Sequence, residues 1–379
     1  MEKLKIALVG CGGISTSHVD GYRELFSKNL KVFLIKAVCD IVEEKAREKA
    51  SMIEAFQGTR PKVYTNYEDM VESEDLDAVD ICTEHKSHHV IANFCLSSGL
   101  DVIIEKPLAI TMRAARTILN VARKHKKIVA VAENYRRTPI NRTIKWCIDQ
   151  GFIGTPRIVL WYKASWTSMR LDWRGDKFMA GGSWVFDGGV HLADLDRYHL
   201  NREADEVYGV VKLFEPLRGG QRLTVDDAAM AIIKYGDVIV QWLWTIAAPA
   251  KRISVRTVYG SKGCIDEQVL RIQEDINRVV EVRVDQAFHQ MMETLSVKER
   301  ERMFPRGITN TFATELYDFY LAVTEGLKPE VDGEEAYKDM AIPLAIYESS
   351  VLGKPVKVKD VEELRVEEYQ KEINDRLSL

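Results

Sequence analysis

The sequence predicts a two-domain α/β protein: helices on a parallel sheet over residues 1–132, then over residues 133–379 an α+β domain built on a large, mostly antiparallel open sheet. Three observations predict it. At 379 residues the chain exceeds the roughly 250 to 300 residues at which a single core stops growing. The first third alternates short apolar runs with helical patterns, the arrangement that parallel strands joined by crossover helices require. The remainder carries β-rich runs with short connections, which suits antiparallel pairing.

Taken in order, Leu4 to Val9 is a short apolar run that stops at Gly10-Cys11-Gly12-Gly13-Ile14-Ser15 and continues into a helical pattern through Tyr22 and Phe26. Gly10, Gly12 and Ser15 fill the three small-residue positions of the Rossmann dinucleotide fingerprint. Backbone N–H groups at the helix start would face the phosphates. A second strand, Phe33 to Cys39, ends at Asp40, an acidic side chain placed to hold the adenine ribose hydroxyls. Ile41 follows, with no arginine at once to meet a 2′-phosphate, so NAD is favoured and NADP remains possible. A helix (Val42 to Phe56), a short strand (Lys62 to Tyr64), the segment Tyr67 to Ser73 and a strand (Ala78 to Cys82) come next. Thr83-Glu84-His85-Lys86-Ser87-His88-His89 then lies at a strand's carboxyl end, where open α/β sheets bind ligands. This His cluster lacks a companion at metal-ligand spacing, and a cofactor-touching loop is the simpler reading; no metal is expected. A helix from Val90 to Ser98 leads to the strand Asp101 to Ile104 and then to Glu105-Lys106-Pro107, which holds a lysine where a nicotinamide would lie. Ile128 to Ala132 is the last strand of this domain.

In the second domain, Pro139 opens a helix through Ile148. Strands are expected at Arg157 to Ala164, Val207 to Phe214, Ala228 to Tyr235, Val238 to Thr245, Ser254 to Tyr259 and Val279 to Val284, with Gly236-Asp237 as a hairpin signal. The strands 228–235 and 238–244 are apolar on both faces, so one face should pack on helices and the other on a second subunit. The charged segment from Gln286 to Arg306 reads as a lid or an excursion at a subunit edge. Helices at Thr311 to Gly326 and Glu334 to Leu352 follow, then a strand Pro355 to Val358. The last twenty residues, dense in Glu, Lys and Arg, read as a solvated helix.

The chemistry concentrates in Gly181 to Asp194. A helix beginning near Ser183 sets Asp187, His191 and Asp194 at i, i+4 and i+7, three polar groups on one face. Gly181 and Gly182 let backbone approach a ligand, and Gly188 and Gly189 remove bulk beside the acid and base, at about 1 kcal/mol each in helix propensity. Trp161, Trp166, Trp173 and Trp184 bracket the stretch and suit either a sugar face or a core. Arg170, Trp173, Arg174 and Lys177 could donate to substrate hydroxyls or simply be solvated.

Together these residues carry a resemblance. The Gly-x-Gly-Gly-Ile turn, Asp40, Thr83 and His88 after the fourth strand, Glu105-Lys106-Pro107 and the Gly181–Asp194 stretch resemble, in order, the glucose-fructose oxidoreductase / inositol dehydrogenase / rhizopine-catabolism (Gfo/Idh/MocA) family. One departure is visible: Thr83-Glu84-His85-Lys86-Ser87-His88 stands where the family usually has Thr-Pro-Asn-x-x-His. The resemblance implies NAD(P)-dependent hydride transfer at a secondary alcohol or ketone of a sugar, cyclitol or related polyol. Cofactor contacts are expected from Gly10, Gly12, Gly13, Ile14, Asp40, Ile41, Thr83, His88, Glu105 and Lys106. His191 is the expected general acid/base, Asp187 orients it, and Lys106 supplies positive charge as alkoxide character develops, meeting them across the domain cleft. Tyr135, Arg136 and Trp173 are expected to border the substrate, and Asp194 is expected to be structural or to lie at the substrate's edge. The resemblance also implies a homodimer or homotetramer formed through the open sheet. Alternatives are a glycosidase using NAD for transient oxidation, a catalytically silent nucleotide-binding sensor, and a metal enzyme built on Asp187, His191 and Asp194.

Composition narrows the partners. A net charge of −4 from 53 basic and 57 acidic residues offers no cationic footprint for nucleic acid or anionic lipid. No apolar run reaches the roughly 18 residues of a membrane span, no signal peptide is apparent, and the six cysteines form no C-x-x-C pair, so a cytoplasmic enzyme with a small-molecule substrate is expected.

Overall fold

A computed structural model describes residues 3–379, and the chain divides into two compact units. The first runs through Arg137 and takes in Ser296–Tyr337; the second comprises Thr138–Leu295 and Lys338–Leu379.

The first unit begins with β1 (Leu4–Val9), α1 (Gly13–Ser27), β2 (Phe33–Cys39), α2 (Glu43–Gln57), β3 (Lys62–Tyr64) and α3 (Tyr67–Ser73). It continues with β4 (Ala78–Ile81), α4 (His85–Ser97), β5 (Asp101–Glu105), α5 (Met112–His125) and β6 (Val129–Ala132). All six strands are parallel, in the order β3-β2-β1-β4-β5-β6. Strand order therefore reverses between β1 and β4, the switch point beside which doubly wound sheets bind nucleotides. Helices cover both faces, which is why β4, β5 and β6 are buried along their whole length. Helix α4 starts at His85, not at Val90: the histidine-rich run is its first turn, with His85, His88 and His89 buried. Polar residues had masked a helix start whose burial depends on tertiary packing.

The second unit opens with α6 (Pro139–Asp149), β7 (Pro156–Ala164), α7 (Lys177–Ala180), α8 (Trp184–Asp187) and α9 (Gly189–Leu200). Strands β8 (Glu206–Lys212), β9 (Leu217–Arg218), β10 (Gln221–Arg222), β11 (Ala228–Tyr235) and β12 (Val238–Thr245) follow. Then come β13 (Ile253–Gly260), β14 (Gly263–Asp266), β15 (Val269–Asp275), β16 (Arg278–Arg283) and α10 (Val284–Thr294). The chain returns to the first unit with α11 (Val297–Met303) and α12 (Thr311–Glu325), then enters α13 (Gly333–Leu352), β17 (Val356–Lys357), α14 (Val358–Glu362) and α15 (Lys371–Leu377). Residues 286–306 thus form helices, with Met291 buried.

In the first unit α12 lies on α1. Gly21 permits the approach, since a Cβ there would stand 2.9 Å from the Ala313 nitrogen. Tyr22 meets Phe33 edge-on at 5.0 Å, and Phe33 meets Tyr320 at 5.8 Å, so α12 shares the core of the sheet.

A nine-stranded sheet, β16-β15-β14-β13-β7-β12-β11-β8-β17, organises the second unit. Every pair is antiparallel except β7 with β12, and the Gly236-Asp237 hairpin joins β11 to β12 as expected. Helix α9 covers one face: Asp196 accepts from Trp242 Nε1 at 3.0 Å and from Arg256 Nη2 at 2.7 Å. The chain end is not a solvated helix. Ile373 and Asn374 are buried, Gln370 donates to Glu348 at 3.1 Å, and Tyr369 stacks on Tyr347 at 4.3 Å. The surrounding charges had concealed this apolar anchor.

Candidate active site

In the first unit the glycine turn is fixed by backbone geometry. Gly10 has φ +91°, and a Cβ on it would stand 2.6 Å from the Cys82 carbonyl, so only glycine lets β1 turn beside β4. Gly12 and Gly13 face open space. Gly12 caps α1 without a side-chain bond, and no acidic residue occupies the first turn, so the helix start presents N–H groups to an anion. Asp40 anchors the turn: Oδ2 accepts from Cys11 N at 2.7 Å and Oδ1 from Val42 N at 2.8 Å. Ile14 is half-buried, and Ile41 beside Asp40 is 90% exposed. This donor set fits a dinucleotide.

A buried network supports the Glu105-Lys106-Pro107 turn, and the sequence reading missed its centre. His18 of α1 sets Nδ1 3.0 Å from Asp80 Oδ2 and Nε2 3.1 Å from Glu105 Oε1. Tyr22, one turn on, donates to Asp80 at 3.0 Å. Serving two carboxylates requires both ring nitrogens to carry protons. Burial opposes that charge, but the Asp80 carboxylate outweighs it and holds the His18 pKa well above the ordinary value. The histidine-tyrosine pair at i, i+4 on the buried side of α1 was the available signal. Glu105 is thereby fixed immediately before half-buried Lys106.

His88 lies fully buried, with Nδ1 2.8 Å from the Pro107 oxygen and Nε2 3.2 Å from that of Thr83. Burial, followed by the nearby His85, pushes its pKa down to about 3. A neutral ring has one N–H, and the shorter distance assigns it to Pro107. His88 therefore ties α4 to the lysine-bearing turn, and Thr83 is half-exposed. Tyr135 is exposed, whereas Arg136 is buried and donates to the Glu330 carbonyl at 3.3 Å.

In the second unit the stretch 181–194 is two helices, not one. They meet at Gly188, where a Cβ would fall 2.0 Å from the Trp184 ring; Gly188 makes room for this indole, and Gly189 for Pro343 and Trp242. Gly188 and Gly189, expected to open space beside an acid/base pair, serve packing instead. Trp184 stacks with Trp161 at 4.9 Å and with Trp244 at 5.8 Å.

The start of α8 is clamped from distant parts of the chain. Ser183 Oγ accepts from Val185 N at 3.1 Å and donates to Asp226 Oδ2 at 2.7 Å. The Tyr347 hydroxyl accepts from Ser183 N at 2.9 Å and donates to Asp226 Oδ1 at 2.7 Å. Burial raises the Asp226 pKa to about 6 against these hydroxyls. Tyr369 donates to the Gly181 carbonyl at 3.1 Å. At the other end of α8, Asp187 accepts from Arg174 Nε at 2.9 Å, and the Arg174 guanidinium lies 4.2 Å over Trp173. Asp187, His191 and Asp194 are all buried. The sequence left Arg174 unranked among its neighbours and gave no sign of Asp226 or Tyr347.

A glycine turn leading to an open helix start, where the strand order of a doubly wound parallel sheet reverses, defines a nucleotide-binding class of protein. The chain belongs to the Gfo/Idh/MocA oxidoreductase family: its NAD-binding Rossmann fold model matches residues 4–133 and its C-terminal alpha/beta domain model matches residues 145–358. It is similar to a 1,5-anhydro-D-fructose reductase of Ensifer adhaerens, at 24% identity over 79% of this chain and 84% of that protein. It is also similar to a levoglucosan dehydrogenase of Pseudarthrobacter phenanthrenivorans, at 26% identity over 92% of this chain and 97% of the relative. The structure of a levoglucosan dehydrogenase in complex with NADH shares the fold, with a TM-score of 0.79 at 22% identity over 94% of this chain and 99% of that one. Among the described residues no helix is long and apolar enough to cross a membrane.

Proposed function

We propose that this chain transfers a hydride between NAD(H) and a secondary alcohol or ketone carbon of a sugar, cyclitol or related polyol. The observation that carries the reading is the pairing of Asp187 with Arg174 at 2.9 Å, at the end of the short helix α8 whose start is clamped by Ser183, Asp226 and Tyr347, four residues before His191. NAD, when bound, would supply the hydride acceptor for the alcohol carbon. His191 takes the hydroxyl proton as the carbonyl forms and returns it in reduction; Asp187 orients the imidazole. Lys106, fixed by Glu105 and Pro107 on either side, supplies positive charge to the developing alkoxide. Gly10, Gly12, Gly13, Ile14 and Asp40 bind the dinucleotide, and exposed Ile41 favours NAD over NADP.

The relatives named above act on sugar-derived substrates, which supports the polyol class. The outer sheet face supports assembly with a second copy: register sets Ile158, Tyr208, Met230, Ile232, Ile239 and Tyr259 on one side, each more than 40% exposed.

The test is NAD reduction, with NADP in parallel, over a panel of sugars, sugar acids and inositols, followed by Lys106→Ala and His191→Ala on the best substrate. Each variant is expected to lose about 10²- to 10⁴-fold in kcat with NAD affinity little changed. Full turnover by either variant rejects that residue's assignment, and no reduction across the panel rejects the function.

A further inference from the structure

Lys163, near the end of β7, holds its Nζ 4.5 Å above the ring of Trp184. Trp184 begins α8, three residues ahead of Asp187, and its ring lies back against Gly188, the residue next to Asp187. The lysine therefore stands beside the turn that carries the proposed orienting carboxylate. Arg252, just before β13, adds a second positive charge, and across the β7–β13 register Lys163 faces exposed Ser254.

The charges here are not balanced. Three buried arginines of this unit, Arg197, Arg218 and Arg256, hold Asp339, Asp227 and Asp196 at 2.7, 3.0 and 2.7 Å. Among the described residues Lys163 has no such partner: burial and then the Arg252 guanidinium push its pKa below the ordinary lysine value. An indole face attracts an ammonium but leaves its charge in place. A half-buried cation facing another cation gains from an anion supplied by a ligand.

We propose that Lys163, with Arg252 beside it, receives an anionic group on the substrate, so that the polyol oxidised or reduced here carries a carboxylate or a phosphate. This rests on the reading that the Trp184–His191 segment handles the reacting alcohol. Lys163 sets which polyol is accepted and takes no part in proton transfer. Carboxylate and phosphate share the chemistry that an ammonium and a guanidinium recognise.

The experiment is calorimetric titration of the NADH-loaded protein with D-gluconate against D-glucitol, D-glucuronate against D-glucose, and D-glucose 6-phosphate against D-glucose. At least one anionic ligand is expected to bind about tenfold or more tightly than its neutral counterpart, with the preference weakening as salt rises. The pair that shows it separates carboxylate from phosphate. Lys163→Gln is expected to bring that preference to within about twofold while Lys163→Arg retains most of it, with melting curves confirming that both variants fold. Equal or tighter binding of the neutral member in every pair, no binding by any anionic ligand at about 10 mM, or a preference undiminished in Lys163→Gln overturns the inference. NADH formation with NAD and the same ligands reads the proposed function separately: binding preference without turnover rejects hydride transfer and leaves the anion site standing, whereas turnover of neutral polyols alone does the reverse.

Discussion

Arg174 Nε lies 2.9 Å from Asp187 Oδ2, so the carboxylate proposed to orient His191 is itself held by a guanidinium from outside its helix. The Asp187 side chain is 11% exposed and that of Arg174 51%, so the pair is screened on one side only. Replacing Arg174 by methionine keeps an apolar stem of similar length and removes the guanidinium that pairs with Asp187 and lies over Trp173. The expected outcome is a fall of about 10- to 100-fold in kcat/KM for NADH formation, the size of one charge-assisted hydrogen bond, with partial recovery in Arg174→Lys. An unchanged kcat/KM and pH profile in Arg174→Met would remove Arg174 from the mechanism.

His18 should support the first unit in a pH-dependent way. Its folded pKa is raised above the ordinary 6.5, so its contribution is fully present below about pH 6.5 and is lost as pH rises through the higher folded value. His18→Asn leaves Asp80 and Glu105 short of a buried donor and is expected to cost about 3 to 5 kcal/mol near pH 6, with a gap from the native protein that narrows toward alkaline pH. Denaturant unfolding at several pH values measures it; a gap that widens with pH contradicts the imidazolium assignment.

Asp226 works with the same sign for a different reason. Burial raises its carboxyl from 3.8 to about 6, so the folded protein holds the proton more tightly than the unfolded chain, and this group's stabilisation, present below about pH 4, is lost as pH rises through about 6. Asp226→Asn cannot ionise. Its stability relative to the native protein should improve by about 1 to 3 kcal/mol between pH 4 and 7, read from melting curves. A constant difference across that range would show that Asp226 does not titrate there.

The outer sheet face predicts an assembly that one double substitution breaks. Met230 and Ile232 are 57% and 48% exposed on β11, near the middle of the apolar surface. Light scattering of the native protein should report a dimer or tetramer, and Met230→Lys with Ile232→Lys a monomer with an intact fold. A native monomer at micromolar concentration refutes the interface.

Much of this architecture was legible because local patterns and tertiary structure agreed. Gly10 to Ser15 after an apolar run marked β1, the turn and α1, and Gly236-Asp237 marked a hairpin with its register. What stayed hidden depends on partners far apart in sequence. The clamp on Ser183 comes from Asp226 and Tyr347, 43 and 164 residues away, and the bond from His18 to Glu105 spans 87. His85 and the final helix misled for a related reason: their burial is set by neighbours, while their own sequence is polar. Gly188 was read for the space it leaves, and only the packed structure identifies the Trp184 indole as its occupant.

That indole has an optical consequence. Trp161, Trp184 and Trp244 lie nearly parallel, 8° and 12° apart, at 4.9 and 5.8 Å, close enough for their electronic transitions to couple. With Lys163 over the central ring and Asp187 one turn away, the near-ultraviolet dichroism and emission of this trio form a built-in reporter of α8. Occupancy beside that helix can therefore be followed without a label, in a spectral window where the polyol itself is silent.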